Sequence, residues 1–379
     1  MPSITRRKLL IGGTGLALSG IGAGYFLSSK KAPLGFEPSV ELLTAGKNFL
    51  ENHVSIDIHA HPGRSFVADA EDMGIQMRAY AATSLFEARA IQDMKKGGLT
   101  AATFATVSDF QLLQFGENGI SAAREFKEGE AWRSYLSQKA RIMSLVDNES
   151  VTLIKSPSDI TTAKEEKHLG VLFTAEGGDF MDGSLEKLKQ SFEDGLRSVT
   201  LVHYHINEIG DIQTEAPQHN GLTKFGAKVV KTMNAQGMII DLAHASKDTA
   251  LDVLKVTDKP VMVSHTAIQR EGFTSARFID VDLAEIVVEG GGLIGAWPAG
   301  IGLSSLSDYV DQILHLVDDV GIDHVSIGSD MDANYKPVFD TYETLPVIAG
   351  LLLERGMNPE ETSKILGGNF MTLFKIVSS

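Results

Sequence analysis

Along the chain, short apolar runs alternate with longer amphipathic ones. Eight of the short runs read as strands: VSIDIHAH (54–61), GLTAATFATVS (98–108), LGVLFTAE (169–176), GLRSVTLVH (195–203), GMIIDLAH (237–244), KPVMVSH (259–265), GGLIGAWP (291–298) and HVSIGSD (324–330). Helical patterns such as TKFGAKVVKTMNAQ and SKDTALDVLKVT lie between them. In the second of these, Ala250, Val253, Leu254 and Val256 fall on one face and Ser246 stands where an N-cap belongs. Strands separated by helices imply a parallel sheet. Eight such units predict an α/β fold, a (β/α)8 TIM barrel, as a single domain. Segments 62–97 and 109–168 exceed what a barrel needs and are expected to be helical insertions over its active face.

The N-terminus breaks the pattern. TRRKLLIGGTGLALSGIGAGYFLSSKK (5–31) sets a basic cluster ahead of an apolar run that ends near Leu27. That is the order of an export signal, and Arg6-Arg7 gives it the twin-arginine character associated with export of folded proteins. No A-x-A cleavage site follows, so an uncleaved membrane anchor is the alternative. Residues 1–35 are therefore read as signal or anchor plus linker, and residues 36–379 as the barrel. The expected location is periplasmic or exported, with membrane contact only through that segment.

Composition narrows the chemistry. The 379 residues carry a formal charge of −15 and no dense basic patch beyond the N-terminus, which argues against nucleic acid. Cysteine is absent, so disulfides, thiolate metal sites and a cysteine nucleophile are excluded. Any metal must be held by His, Asp and Glu.

Six of the eleven histidines cluster at the ends of expected strands: His59, His61, His203, His205, His244 and His265. Barrel active sites form at this C-terminal end. The pair His59 and His61, one residue apart, is expected to project to the same side as Asp57. Glu176 ends its strand before two glycines, and Asp330 ends the last strand with Asp332 as its competitor. A carboxylate aimed into a barrel mouth is costly unless it is paired or bound to metal. Four imidazoles and a carboxylate exceed one tetrahedral zinc site and suit two metals bridged by Glu176. Metal-assisted hydrolysis follows, with Asp330 as the group that moves the proton.

The segment GLTKFGAKVVKTMNAQGMIIDLAHASKDTALDVLKVTDKPVMVSHTA (221–267), with AEGG (175–178), LVHYHINEIGD (201–211), GSDMD (328–332) and the terminal GGNFMTLF, resembles the renal (membrane) dipeptidase family of zinc peptidases. The resemblance covers roughly residues 50–376. It implies a zinc-dependent barrel that hydrolyses dipeptides through a metal-bound hydroxide, sometimes with a C-terminal D-residue. On it, His59 and His61 correspond to ligands of a first zinc, Glu176 to the bridge, and His244 and His265 to ligands of a second. Asp330 corresponds to the catalytic aspartate and His203 to a histidine that stabilises charge on the substrate carbonyl. Arg277 is similar to an arginine that grips the substrate carboxylate, with Arg270 as the fallback, and His205 is left structural. The implied partner is a small peptide, and a homodimer is carried as an expected assembly.

Two departures matter. The family's first strand usually carries HxD, whereas this chain has His59-Ala60-His61, and the segment after Arg277 lacks the usual R-N. Losing one negative charge weakens the hold on one of two cations. It also keeps open a second reading, a metal-dependent amidohydrolase acting on another amide, a lactone or an acylated amine. A third, a non-catalytic scaffold on a retired barrel, calls for loss of Asp330 or Glu176, and both are present.

Overall fold

The computed structural model describes residues 32–67, 70–82, 87–116, 119–148 and 151–379. The export-signal segment lies outside the described residues. Eleven strands are formed among them: β1 (Ile56–Asp57), β2 (Ala101–Val107), β3 (Leu113–Gly116), β4 (Gly119–Ala122), β5 (Thr152–Ile154), β6 (Gly170–Glu176), β7 (Ser198–Thr200), β8 (Ile239–Asp241), β9 (Met262–Thr266), β10 (Leu293–Ala296) and β11 (Val325–Ile327). Eight of them run in the order β2-β1-β11-β10-β9-β8-β7-β6, all parallel. Pairing of β6 with β2, from Ala101↔Gly170 to Val107↔Glu176, closes the ring. The structure is thus an eight-stranded parallel barrel with helices between its strands, as the sequence pattern predicts.

The insertion 109–168 departs from the all-helical expectation. It holds the antiparallel hairpin β3–β4 and the short strand β5 as well as helices Glu130–Asp147 and Pro157–Glu166. Strand β5 pairs with Gly170–Leu172, while β7 pairs with Thr174–Glu176 on the same edge of β6. The insertion therefore wedges into the barrel's lower half.

The floor is apolar. Ile56, Ala101, Ile239, Met262 and Leu293 from the starts of the strands, with Ile58 and Leu172, form one buried cluster with Phe370, Leu373, Phe374 and Val377 of the C-terminal helix Asn369–Val377. Asn369 ties that helix to the barrel by donating to the carbonyls of Ile322 and Val325 (2.7 and 2.8 Å).

Higher up, backbones approach closely. A Cβ at Gly295 or at Gly328 would lie 1.7 Å from the Ser264 carbonyl oxygen, so only glycine fits on β10 and just past β11. At the rim, the entering chain is clasped to the loops after β10 and β11. Ala32 N–H donates to Asp340 (2.7 Å), and the Pro33 and Leu34 carbonyls accept from Leu306 and Ser307 (2.9 and 3.0 Å). Among the described residues no helix is long and apolar enough to cross a membrane.

Candidate metal centre

Strand β1 stops pairing at Asp57, and this turns the next residues into the mouth. The carboxylate of Asp57 accepts from the His59 and Ser329 amides (3.2 and 3.0 Å) and from the Tyr342 hydroxyl (2.8 Å). Asp57 thus faces away from the centre, toward Ser329 and Tyr342, and does not share a side with His59 and His61 as simple alternation requires. Its hydrogen bond to the His59 amide bends the chain, so that both imidazoles converge with their Nε2 atoms 3.2 Å apart.

Glu176, the last residue of β6, stands between them and a second pair. His59 Nε2 is 3.3 Å from Glu176 Oε1, and His61 Nε2 is 3.2 Å from Oε2. Across the mouth, His244 and His265 lie 3.0 and 3.5 Å from Oε1 and 3.1 Å from each other. Two groups of three result, His59/His61/Glu176 and Glu176/His244/His265, each with its ligand atoms within 4.8 Å of one another. All five residues are buried. A tetrahedral zinc with bonds of roughly 2.0–2.1 Å separates its ligands by about 3.3 Å. The observed 3.0–3.5 Å edges match that spacing in both groups, so the donor set fits two divalent cations sharing one carboxylate.

The backbone is strained where the site needs it. His244 (φ 66°) and Asp330 (φ 52°) adopt the left-handed conformation, which non-glycine residues avoid at a cost of about 1–3 kcal/mol. The His244 carbonyl is held by the Gln213 amide (2.8 Å).

Asp330 Oδ1 lies 3.4 Å from His61 Nε2, and its Oδ2 accepts from the Trp297 indole N–H (3.3 Å). Asp332 serves the backbone instead, accepting from the Gly63 amide (2.7 Å) and so anchoring the loop after His61. His203 donates from Nδ1 to the buried Asp109 (2.7 Å) and turns Nε2 toward Glu176 Oε2 (3.4 Å). Arg277 donates to His265 Nε2 (3.0 Å) and to Gln213, with its guanidinium 5.4 Å from the Trp297 ring. The fallback Arg270 instead pairs with Asp319 on the barrel's flank. The structure thus brings His59, His61, Glu176, His203, His244, His265, Arg277 and Asp330 to one place. His205 lies beside the centre, donating to Asp179 (2.7 Å) and Glu125 (2.9 Å). Burial opposes its charge, but these two carboxylates outweigh it and push the imidazole up to about 10.

Burial would raise Glu176, yet the charges of His203 and His59 and hydrogen bonds from His244 and His59 hold it well below the usual carboxylate range. Burial, with Arg277 and His203 adding positive charge, keeps His244 well below its ordinary value; burial and the charge on His59 do the same for His265. Neutral imidazoles beside an ionised carboxylate are the states that ligation demands. Burial disfavours a charge on His61, but Asp330 and Glu176 push it up to about 10, so a proton and a cation compete for its Nε2.

Sequence reasoning missed the supports: Asp109 behind His203, Trp297 over Asp330, Gln213 against Arg277, and Asp241 beneath the histidines. Asp109 directly follows the second expected strand, where barrel chemistry concentrates, and that position was its signal. Trp297 and Gln213 carry no signal without coordinates.

A closed parallel barrel with two histidine–carboxylate groups at its C-terminal mouth defines a (β/α)8 protein with the donor set of a metal centre. The chain belongs to the membrane dipeptidase family (peptidase family M19), which it matches over residues 45–379. It is 30% identical to dipeptidase 3 of Mus musculus over 222 residues, 55% of this chain and 45% of that protein. It is 28% identical to dipeptidase tcpJ of Claviceps purpurea over 271 residues, 69% of this chain and 63% of that one. The chain therefore spans less than two thirds of either relative. Among solved structures it is similar in fold to the probable dipeptidase PvdM from Pseudomonas aeruginosa (TM-score 0.72, 16% identity, 89% of this chain and 98% of that one). It is also similar to a metallopeptidase from Rhodobacter sphaeroides liganded with a phosphinate mimic of the dipeptide L-Ala-D-Ala (TM-score 0.69, 18% identity, 86% and 100%).

Proposed function

We propose that the protein is a zinc-dependent dipeptidase that holds two ions in these groups and acts after export. The observation that carries this reading is the sharing of Glu176 between two sets of tetrahedrally spaced donors, with Asp330 at their edge. His59, His61 and Glu176 would hold one cation, and Glu176, His244 and His265 the other. Bound there, the cations supply Lewis acidity and lower the pKa of water. The chain's own groups do the rest. Asp330 takes a proton from the attacking water at Oδ1 and delivers it to the leaving amine nitrogen. His203, its ring fixed by Asp109, directs Nε2 at the carbonyl oxygen as negative charge grows there. Arg277 offers its guanidinium to the substrate's terminal carboxylate, a pairing suited to that planar fork.

Family membership supports a dipeptide substrate. The L-Ala-D-Ala mimic held by the Rhodobacter sphaeroides protein makes L,D-dipeptides the first candidates. The test is hydrolysis of an L,L and L,D dipeptide panel by protein stripped with a chelator and then reloaded with zinc. Cleavage that depends on the metal is expected; full activity in the stripped protein would end the reading. The second reading, a non-dipeptide amide or lactone, is favoured by one feature, the imidazole of His61 where the family usually has a carboxylate. Turnover of acylated amines or lactones with no dipeptide cleaved would select it.

A further inference from the structure

Asp241 closes β8, is fully buried, and takes no part in the chemistry of the mouth as proposed. At every hydrogen bond it accepts, as a carboxylate must. Its Oδ1 takes the amides of Ala243 (3.0 Å) and Ser264 (2.9 Å). Its Oδ2 takes the hydroxyls of Thr200 (2.6 Å) and Ser264 (2.6 Å). From this point it reaches one histidine of each metal group. Ser264 has a single proton and gives it to Asp241, so toward His265 it can only accept. That fixes His265 with its proton on Nδ1, 2.9 Å from Ser264 Oγ, and leaves Nε2 as an acceptor at the second group, where it takes the Arg277 donor and lies 3.5 Å from Glu176. On the other side, the Asp241 carboxylate faces the His59 ring, with Oδ2 4.0 Å from Nδ1 and beyond hydrogen-bond distance, while Nε2 turns to the first group. The backbones of Gly295 and Gly328 pack closely against the Ser264 carbonyl.

We propose that Asp241 is a positioning residue common to both metal groups: acting through Ser264 on His265 and by its charge on His59, it raises the cation affinity of both sites through two separate arms. The inference rests on the metal-centre reading above. Outer partners of ligating histidines typically govern metal affinity by about 10–100-fold.

The experiment titrates zinc alone into the stripped full-length protein against a chromogenic chelator, reading stoichiometry and affinity. Thermal unfolding in chelator serves as the fold control. The unmodified protein should bind two equivalents. Asp241→Asn should loosen both, each by about 10–100-fold, with unfolding in chelator unchanged. Ser264→Ala, which cuts only the arm to His265, should loosen one equivalent and spare the other. Thr200→Val removes a donor but leaves the charge, and should keep both equivalents within about threefold of the unmodified protein. Asp241→Asn loading normally, or loosening one equivalent only, would overturn the proposal. So would Ser264→Ala loosening both, which also decides the matter should Asp241→Asn fail to fold. No uptake by the unmodified protein would instead sink the metal-centre reading itself.

Discussion

The two ends of the barrel are built on opposite principles. The floor is filled by Ile56, Ile58, Met262, Phe370 and Phe374, apolar side chains buried in one cluster that need no hydrogen-bond partner. The mouth buries five histidines around one glutamate, orders them through Asp57, Asp109 and Asp241, and accepts a left-handed backbone at His244 and Asp330. Every polar group taken out of water there must find a partner or cost free energy. The floor thus supplies stability that the mouth spends on preorganised chemistry. Residues at the two ends should accordingly fail in different ways.

The largest expected effect is at the shared ligand. Glu176→Gln should drop dipeptide hydrolysis to background and zinc content below two equivalents, because one side chain serves both groups. His244→Ala should abolish activity with the fold retained, as read by circular dichroism; full turnover in that variant would remove the second group from the mechanism. Asp330→Asn keeps the shape and removes the proton carrier, so kcat should fall by about 10²–10⁴-fold at unchanged metal content.

The opposite signature belongs to the floor. Phe374→Ala should lower unfolding stability in urea by about 3–5 kcal/mol while kcat of the folded fraction is unaltered. A matching loss of kcat would show that the two ends are not separable. The smallest effect sharpens the contrast within the mouth. Trp297→Phe removes the indole donor to Asp330, worth about 1 kcal/mol, and should slow kcat by roughly fivefold. An unchanged rate would show that Asp330 is held by other means.

Much of this plan could be read from the chain because its signals are local. Apolar runs at regular spacing marked out the eight barrel strands, and histidines at their ends located the mouth before any contact was known. The parts that escaped depend on tertiary geometry. Asp57 lies in phase with His59 along the sequence, yet the hydrogen bond to the His59 amide rotates the chain between them. Strand β5 is only three residues long, and its identity comes from the free edge of β6 rather than from its own pattern. Arg277 was legible only by resemblance, since its partner Gln213 is 64 positions away. Asp109 is marked only by its place after the second expected strand, and Trp297 is an ordinary residue until the barrel closes around it.

The clasp at Ala32–Leu34 has a practical side. It seats the incoming chain beside the doorway through which substrate must pass, whereas Ser379 hangs at the far pole near Lys259. A protein tethered to a bead or a sensor chip by its carboxyl end would present an open doorway. Held instead at the Ala32–Leu34 clasp, it would turn that doorway toward the support, and slower access for bulkier substrates would be the first symptom.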